Sequence, residues 1–230
     1  MILSVHQPQY LPWLGYFHKI ATSDVFVYLD DVQYKKREFQ NRNKIRTDTP
    51  NAYMWLTVPV KVRERFAQKI CDVEINNDYP WRRKHWKSIE LHYHKAKYFS
   101  RYAGFFEALY RKVWLKLIDI NLEIVDFFIK VFNIKTKIFF SSELSPEGEA
   151  TDRIISLCKI LSADVYLSGI GGKQYLEEEK FAKNNIKLVY QEFKHPVYKQ
   201  VYEPFIPNMS AIDFLFNCGA EEFSKVLWER

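Results

Sequence analysis

The sequence predicts an α/β fold: a mostly parallel, Rossmann-like sheet flanked by helices, with a largely helical, basic insertion in the middle of the chain. Three observations carry that prediction. Between residues 137 and 191, short apolar runs of strand length alternate with helical patterns in the order strand, helix, strand, helix, strand, which is the signature of a parallel sheet with right-handed crossovers. Residues 1–29 open in the same way, with ILSV and VFVYL on either side of a helical stretch. Between these halves, residues 76–135 lose strand character and take on helical periodicity. The 230 residues are read as a single domain, with 76–135 as a helical insertion or subdomain.

Residues 1–5 form a short buried strand, and 13–21 a helix entered through Pro8 and Pro12, which hold the connecting loop extended. The run VFVYL at 25–29 is aromatic and β-branched, so it makes a second strand, ending in Asp30 and Asp31. The polar, basic stretch 32–48 reads as a functional loop or a hairpin excursion before strand character resumes at 53–60 (YMWLTVPV). A weaker strand at 68–75 closes on Asn76, Asn77 and Asp78, and Pro80 suits a first helical turn. The pairs Phe105/Phe106, Leu109/Tyr110, Val113/Trp114 and Leu117/Ile118 recur every four residues, predicting one helix with a buried stripe. Asn121 reads as the N-cap of a second helix, LEIVDFFIKVF, apolar nearly all round and therefore buried. Then follow a strand at 137–141, a polar loop through Ser145, Pro146 and Gly148, and a helix at 152–161 started by Thr151. A strand at 165–168, a glycine turn, a helix at 174–184 and a strand at 187–191 complete the pattern.

Composition narrows the function classes. The 18 Phe, 15 Tyr and 6 Trp exceed what a minimal core needs, which places some rings at a concave site or a subunit contact such as a homodimer. Cys71, Cys158 and Cys218 stand far apart and form no CxxC pair, arguing against a disulfide framework or a cysteine-rich zinc site. His85, His92 and His94 lack a fourth zinc ligand. Without a signal-peptide pattern or an apolar run near the roughly 18 residues of a membrane span, a soluble protein of the reducing cytoplasm is expected. The net charge of +6 is concentrated between Trp81 and Leu117, where Arg82, Arg83, Lys84 and further cations face only Glu90 and Glu107. That segment is either a set of solvated helix faces or a surface for a nucleotide-sugar, a membrane or nucleic acid. Nucleic acid is the weakest of these, since no reading motif is present.

In an open parallel sheet, ligands bind outside the carboxyl ends of the strands. Three polar clusters fall there. In the first, His6, Gln7, Tyr10, Trp13 and Tyr16 converge on a helix start, with His6 as a candidate general base or a hydrogen-bonded structural histidine. In the second, Asp30 and Asp31 precede Gln33, Arg37, Gln40, Asn41, Arg42 and Lys44. Adjacent carboxylates on an extended segment point to opposite sides, so one faces the pocket, where it serves as a catalytic or Mg²⁺-binding group. The donors after it suit phosphate or sugar hydroxyls, unless the loop is simply a charged surface. In the third, Ser168, Gly169, Gly171, Gly172 and Tyr175 form a glycine-rich turn whose glycines allow positive φ and expose backbone N–H groups to an anion. It is neither a P-loop nor a GxGxxG fingerprint. A later segment brings His195, a second proton-transfer candidate, together with Tyr198 and Gln200.

The His6-Gln7-Pro8 start, LPWLGYFHKI, SDVFVYLDDVQ, FQNRNKI at 39–45, WLTVPV, YLSGIGGKQYL and HPVYKQ, taken in this order, resemble the WbqC-like family over nearly the entire chain. The resemblance implies a bacterial protein associated with O-antigen and related surface glycans, acting in the modification or assembly of sugars. It carries over no catalytic assignment, so His6, Asp30, Asp31 and His195 stand on their chemistry alone. The leading expectation is a transferase that adds an acyl or aminoacyl group to a nucleotide-linked amino sugar, using an acyl donor. The same residues suit a ligase or nucleotidyltransferase using ATP with Mg²⁺. A third reading is a non-catalytic module for glycan assembly, peripheral to the inner membrane through its basic face.

Overall fold

The computed structural model describes residues 1–63, 65 and 67–228. Strand β1 (Ile2–His6), helix α1 (Leu14–Ala21) and strand β2 (Val25–Tyr28) form the first unit. A hairpin of β3 (Arg42–Arg46) and β4 (Tyr53–Thr57) follows, antiparallel with Lys44 opposite Trp55, so the 32–48 stretch is a hairpin excursion. Residues 76–135 supply α2 (Trp81–Tyr93), α3 (Phe99–Arg111) and α4 (Leu117–Val131). The chain then runs through β5 (Lys137–Phe140), α5 (Ser141–Leu144), α6 (Ala150–Ile160), β6 (Val165–Ser168), α7 (Glu178–Lys183) and β7 (Lys187–Tyr190). Helices α8 (Ala211–Cys218) and α9 (Phe223–Trp228) complete the described elements.

The main sheet has the order β5-β2-β1-β6-β7, with every pair parallel. The α/β class and the parallel sheet flanked by helices are therefore as predicted. Side chains alternate across the sheet and build one apolar layer on each face. Phe26 and Tyr28 point to the face covered by α1, α4 and α8, where Phe17, Phe128 and Leu215 pack. Val25 and Val27 point to the other face, against Ile154, Leu157 and Cys158 of α6 and Phe181 of α7. These helices join the first layer through aromatic contacts: Phe128 lies 4.8 Å from Phe17, and Phe105 stacks on Phe127 at 3.8 Å.

The helix predicted through Ile118 breaks after Arg111. Backbone bonds from Ile75 N to Leu115 O and from Leu117 N to Val73 O draw 112–116 into pairing with 73–75, which displaces helical bonding there. Trp114 is tucked in by its Nε1 donating to Leu109 O at 2.9 Å, while Val113 and Leu115 are turned outward. Asn121 is not a cap. It lies inside α4, fully buried, and its amide donates to Gln40 O at 2.8 Å, because that carbonyl has left the hairpin ladder and needs a donor. The 68–75 strand is reduced to a 3₁₀ turn (Ile70–Asp72) with single bridges, and the 174–184 helix to a 3₁₀ turn (Ile170–Gln174) followed by α7. Thr151 does not start α6 as a cap but lies in its first turn, accepting from Glu177 N at 3.2 Å.

The irregular stretch 191–209 is held down by one buried carboxylate. Asp213 of α8 accepts from Tyr93 OH (2.9 Å), Tyr198 OH (2.7 Å) and Gln200 Nε2 (2.8 Å). Burial raises its pKa, and these donors oppose the rise. Removing the acceptor strands three buried donors at once. Asp213→Ala is therefore expected to lower unfolding free energy by about 3 kcal/mol, measured by urea titration; a loss within experimental error of zero would show that the network holds nothing together.

Candidate functional site

Numbered along the sheet in chain order, the strands run third, second, first, fourth, fifth, so the connections diverge between β1 and β6. The chain leaving β1 passes to α1 on one face, and the chain leaving β6 passes to α7 on the other. This is the switch point at which open α/β sheets bind ligands. The ladder between the two strands contains only Ile2 opposite Val165 and Leu3 opposite Tyr166. On the opposite edge of β1, the carbonyls of Ile2 and His6 are taken from the β2 side by Asp24 N and Leu29 N, so the alternate carbonyl of Val5, beyond the ladder, faces the gap.

Lys19 fills that gap. Its Nζ donates to Val5 O at 2.9 Å, and a Cβ built on Gly169 would lie 3.9 Å from the same nitrogen. The residue is 4% exposed. Burial pushes its pKa down to about 7, with no carboxylate to offset the effect. Among the described residues no carboxylate pairs with this buried amine, which stands at the switch point.

His6 ends β1 beside it. Its Nδ1 lies 3.1 Å from Gln7 O, and a carbonyl only accepts, so Nδ1 carries the proton and Nε2 keeps the lone pair. Burial, reinforced by the charge of Lys19, lowers its pKa to about 3, so the imidazole is neutral at pH 7. Tyr16 packs edge-on against it at 5.0 Å and donates to Gln7 O. Gln7 Oε1 accepts from Gln40 Nε2 at 2.6 Å, and Gln40 Oε1 accepts from Lys35 N, which ties the 32–41 loop to the end of β1.

Across the gap, Ser168 is buried and donates to Gly169 O at 3.0 Å. None of Gly169, Gly171 and Gly172 has positive φ, contrary to the expectation from the sequence. Close packing is what requires glycine at 172, where a Cβ would overlap the Ser168 hydroxyl, whereas Gly171 faces open space. Tyr175 is exposed at the end of this turn. Gln191, just after β7, completes the edge: its N–H donates to Ser168 O at 2.7 Å and its side chain to Gly15 O (2.8 Å) and His18 Nδ1 (2.9 Å). A groove of about 1030 Å³ runs along β6 and β7, lined by Val165, Leu167, Val189, His18 and Gln191 but not by Lys19, His6, Ser168 or Gly169. Such a volume is that of a small-molecule site.

The other predicted residues separate into three groups. Asp30 and Asp31 do not point to opposite sides; the chain bends after β2 and both carboxylates reach Ser141 Oγ. Asp30 also accepts from Ser142 N (3.0 Å) and Ser142 Oγ (2.6 Å), and Asp31 pairs with Arg153. Burial pushes the Asp31 carboxyl up, but Ser141 and Arg153 outweigh it and hold the pKa below its ordinary value. Both lie at the ends of β2 and β5, already supplied with donors. A second group faces inward. Tyr10 bonds His85 and Tyr110, Trp13 packs on Phe193 over Gly15, and Asn41 donates to Val58 O. Tyr198 and Gln200 serve Asp213. His195 belongs to the same segment, with Nδ1 on Pro196 O at 2.9 Å, a buried Nε2 without a partner, and a pKa lowered by burial. It shares no hydrogen bond with His6, Asp30 or Asp31.

The third group stands outward on the hairpin. Arg42 lies over the Trp55 ring at 4.3 Å, and Lys44 over Tyr53 at 4.9 Å, neither with a carboxylate partner among the described residues. Arg42 also donates to the carbonyl of the exposed Arg37, whose φ of 63° lies in the left-handed region; Gln33 is exposed on a bridge to Lys69. Lys19 and Gln191 were missed from the sequence, although Lys19 stands three residues after Tyr16 and so shares its helix face. Among the described residues no group of three or more His, Cys, Asp or Glu is placed to hold a metal ion, and no helix is long and apolar enough to cross a membrane.

Residues 7–225 match the WbqC-like protein family. The chain is similar to an uncharacterized protein, Rv1507c, of Mycobacterium tuberculosis, 33% identical over 221 residues that cover 95% of this chain and 94% of that one. No solved structure matches.

The placement of Lys19 predicts a pH dependence with a definite sign. Above pH 7 the folded chain has lost this proton, while the unfolded lysine keeps it up to 10.5, so the unfolded state binds more protons and stability rises with pH. The rise continues until about pH 10, where buried tyrosines with raised pKa values, such as Tyr93, act in the opposite sense. His6 gives a similar rise between about 3 and 6.5. Lys19→Met is expected to stabilise the protein by about 2 kcal/mol at pH 7 and to abolish the rise between pH 7 and 10, as read by denaturant titration at several pH values. A destabilised Lys19→Met with the slope intact would contradict this assignment.

Proposed function

The chain belongs to the WbqC-like protein family, and we propose that it is a cytoplasmic bacterial enzyme of surface-polysaccharide (O-antigen) biosynthesis. In this reading it binds a nucleotide-linked amino sugar at the crevice between β1 and β6 and transfers an acyl or aminoacyl group to the sugar's amine. The observation that carries the reading is the buried ammonium of Lys19 between Val5 O and Gly169, with no carboxylate partner among the described residues. A phosphate there supplies the missing counter-charge, and the pairing raises the pKa of Lys19 again.

The chemistry then falls to His6. Its Nε2 lone pair is available, but beside a bare ammonium it is only weakly basic. Burial is the larger cause of its low pKa and the Lys19 charge the smaller, so a phosphate on Lys19 removes the smaller part and raises the basicity of the imidazole in that measure. As the amine nitrogen forms its bond to the acyl carbon, the proton passes to Nε2 and the donor's leaving group departs with the electron pair of the broken bond. The groove along β6 and β7 offers room for the donor.

Arg42 and Lys44, which have no carboxylate partner among the described residues, favour a second reading, an ATP-dependent ligase or a nucleotidyltransferase, because a triphosphate brings more negative charge than one phosphate cradle neutralises. Thermal-shift measurements separate the two, since a ligand that prefers the native state raises its melting temperature. A shift with a UDP-linked amino sugar that grows with acyl-CoA supports acyl transfer, and one that needs ATP with Mg²⁺ supports ligation. Under either reading the affinity for the nucleotide falls as pH rises above about 7, and Lys19→Met weakens binding by about a hundredfold. Undiminished binding by Lys19→Met, or no shift of the wild type with any of these ligands, would remove the basis of the proposal.

A further inference from the structure

The loop between α3 and α4 reads Arg111-Lys112-Val113-Trp114-Leu115-Lys116, two aliphatic side chains around an indole with cations on both sides. The break in the predicted helix turns both aliphatic residues away from the protein: Val113 is 63% exposed and Leu115 72%. Tyr79, 62% exposed, stands on the adjoining turn, which Asn77 fastens to the loop by donating to Trp114 O at 2.8 Å. Arg82 of α2 fastens the other side, donating to Arg111 O (3.2 Å) and Lys112 O (2.7 Å). The backbone is further fixed by the bonds to 73–75 described above, so these side chains are held outward on a hydrogen-bonded loop. Apolar side chains held out in this way lose solvation free energy with nothing in the chain to cover them.

The surroundings identify the partner by its charge. Residues 76–135 contain 12 Lys and Arg against 6 Asp and Glu, an excess equal to the +6 of the whole chain. Arg82 and Arg83 form no ion pair among the described residues. The exposed pairs Arg111 with Glu107 (2.5 Å), Lys112 with Glu123 (3.1 Å) and Lys116 with Asp72 (3.9 Å) are weakly held and can yield their cations to phosphates. Protruding aliphatic tips have no groove to receive a partner helix or strand. Separate tips rimmed by Lys and Arg instead fit a layer that is apolar below and anionic at its surface.

We propose that this patch docks on an anionic lipid surface, Val113 and Leu115 entering the headgroup region and Tyr79 lying at its boundary, while Arg82, Arg83, Arg111, Lys112 and Lys116 meet lipid phosphates. The proposal does not depend on the chemistry at the crevice. It places the protein peripherally on a membrane, without a spanning segment.

Co-sedimentation of the full chain with vesicles of phosphatidylcholine and phosphatidylglycerol in equal parts tests it, against vesicles of phosphatidylcholine alone. The wild type is expected to sediment with the mixed vesicles, less so as salt rises, and hardly with the neutral ones. Val113→Ser with Leu115→Ser is expected to weaken binding about tenfold or more, and Arg83→Gln with Lys116→Gln also to weaken it, with melting temperatures retained in both. A wild type that stays in the supernatant, or a serine variant that binds as well as the wild type, overturns the proposal. So does a dimer that the serine variant converts to monomer in sedimentation velocity without any vesicle binding, since the patch is then covered by a second copy.

Discussion

Two strands that begin side by side and then part create a need that the rest of the site answers. After Leu3 and Tyr166, β1 and β6 no longer pair, and the carbonyl of Val5 is left facing a gap inside the sheet. A buried carbonyl requires a donor, and the chain supplies one from the side, with the ammonium of Lys19. That solution leaves a positive charge where water is scarce, lowers the pKa of Lys19, and through its field lowers that of His6 further. Electrostatics at the switch point thus follow from one break in strand pairing.

The elements around the gap hold its geometry. Gln191 joins the end of β6 to α1, and Gln40 joins Gln7 to the base of the hairpin. Asn121, from the middle of α4, reaches Gln40 O, so this helix is coupled by hydrogen bonding to the loop that steadies the end of β1. The Asp213 network does similar work for the 191–209 segment, which passes Trp13 through Phe193. A glycine at 172 lets Ser168 stay buried beneath its turn.

Much of this frame is legible in the sequence, and the limits have physical causes. The strands VFVY and VYLS and the parallel order could be read because both faces of the sheet are buried, which leaves uninterrupted apolar runs. His6, Ser168 and Gly169 could be placed at strand ends for the same reason. The break at 112–116 could not, since it arises from pairing with residues 73–75, some forty positions earlier, against an intact helical period. Asp30 and Asp31 were read as an extended pair, but a local bend sends both to Ser141. Tyr198 and Gln200 have the chemistry of binding residues, and only the fold shows that Asp213 has already claimed them. Lys19 escaped notice because a lysine in the last turn of a short helix ordinarily reaches solvent and favours the helix dipole; its burial depends on where β6 comes to lie.

The proposed site requires that Lys19 be buried in the free protein and only about half protonated at pH 7. Its titration by NMR, on protein labelled at the lysine side chains and assigned with Lys19→Met, measures this directly. A midpoint near 7, moving upward when a UDP-linked amino sugar is added, is the result the account predicts. A midpoint near the ordinary 10.5, unmoved by ligand, would mean that the ammonium is solvated and that the gap between β1 and β6 is not the site.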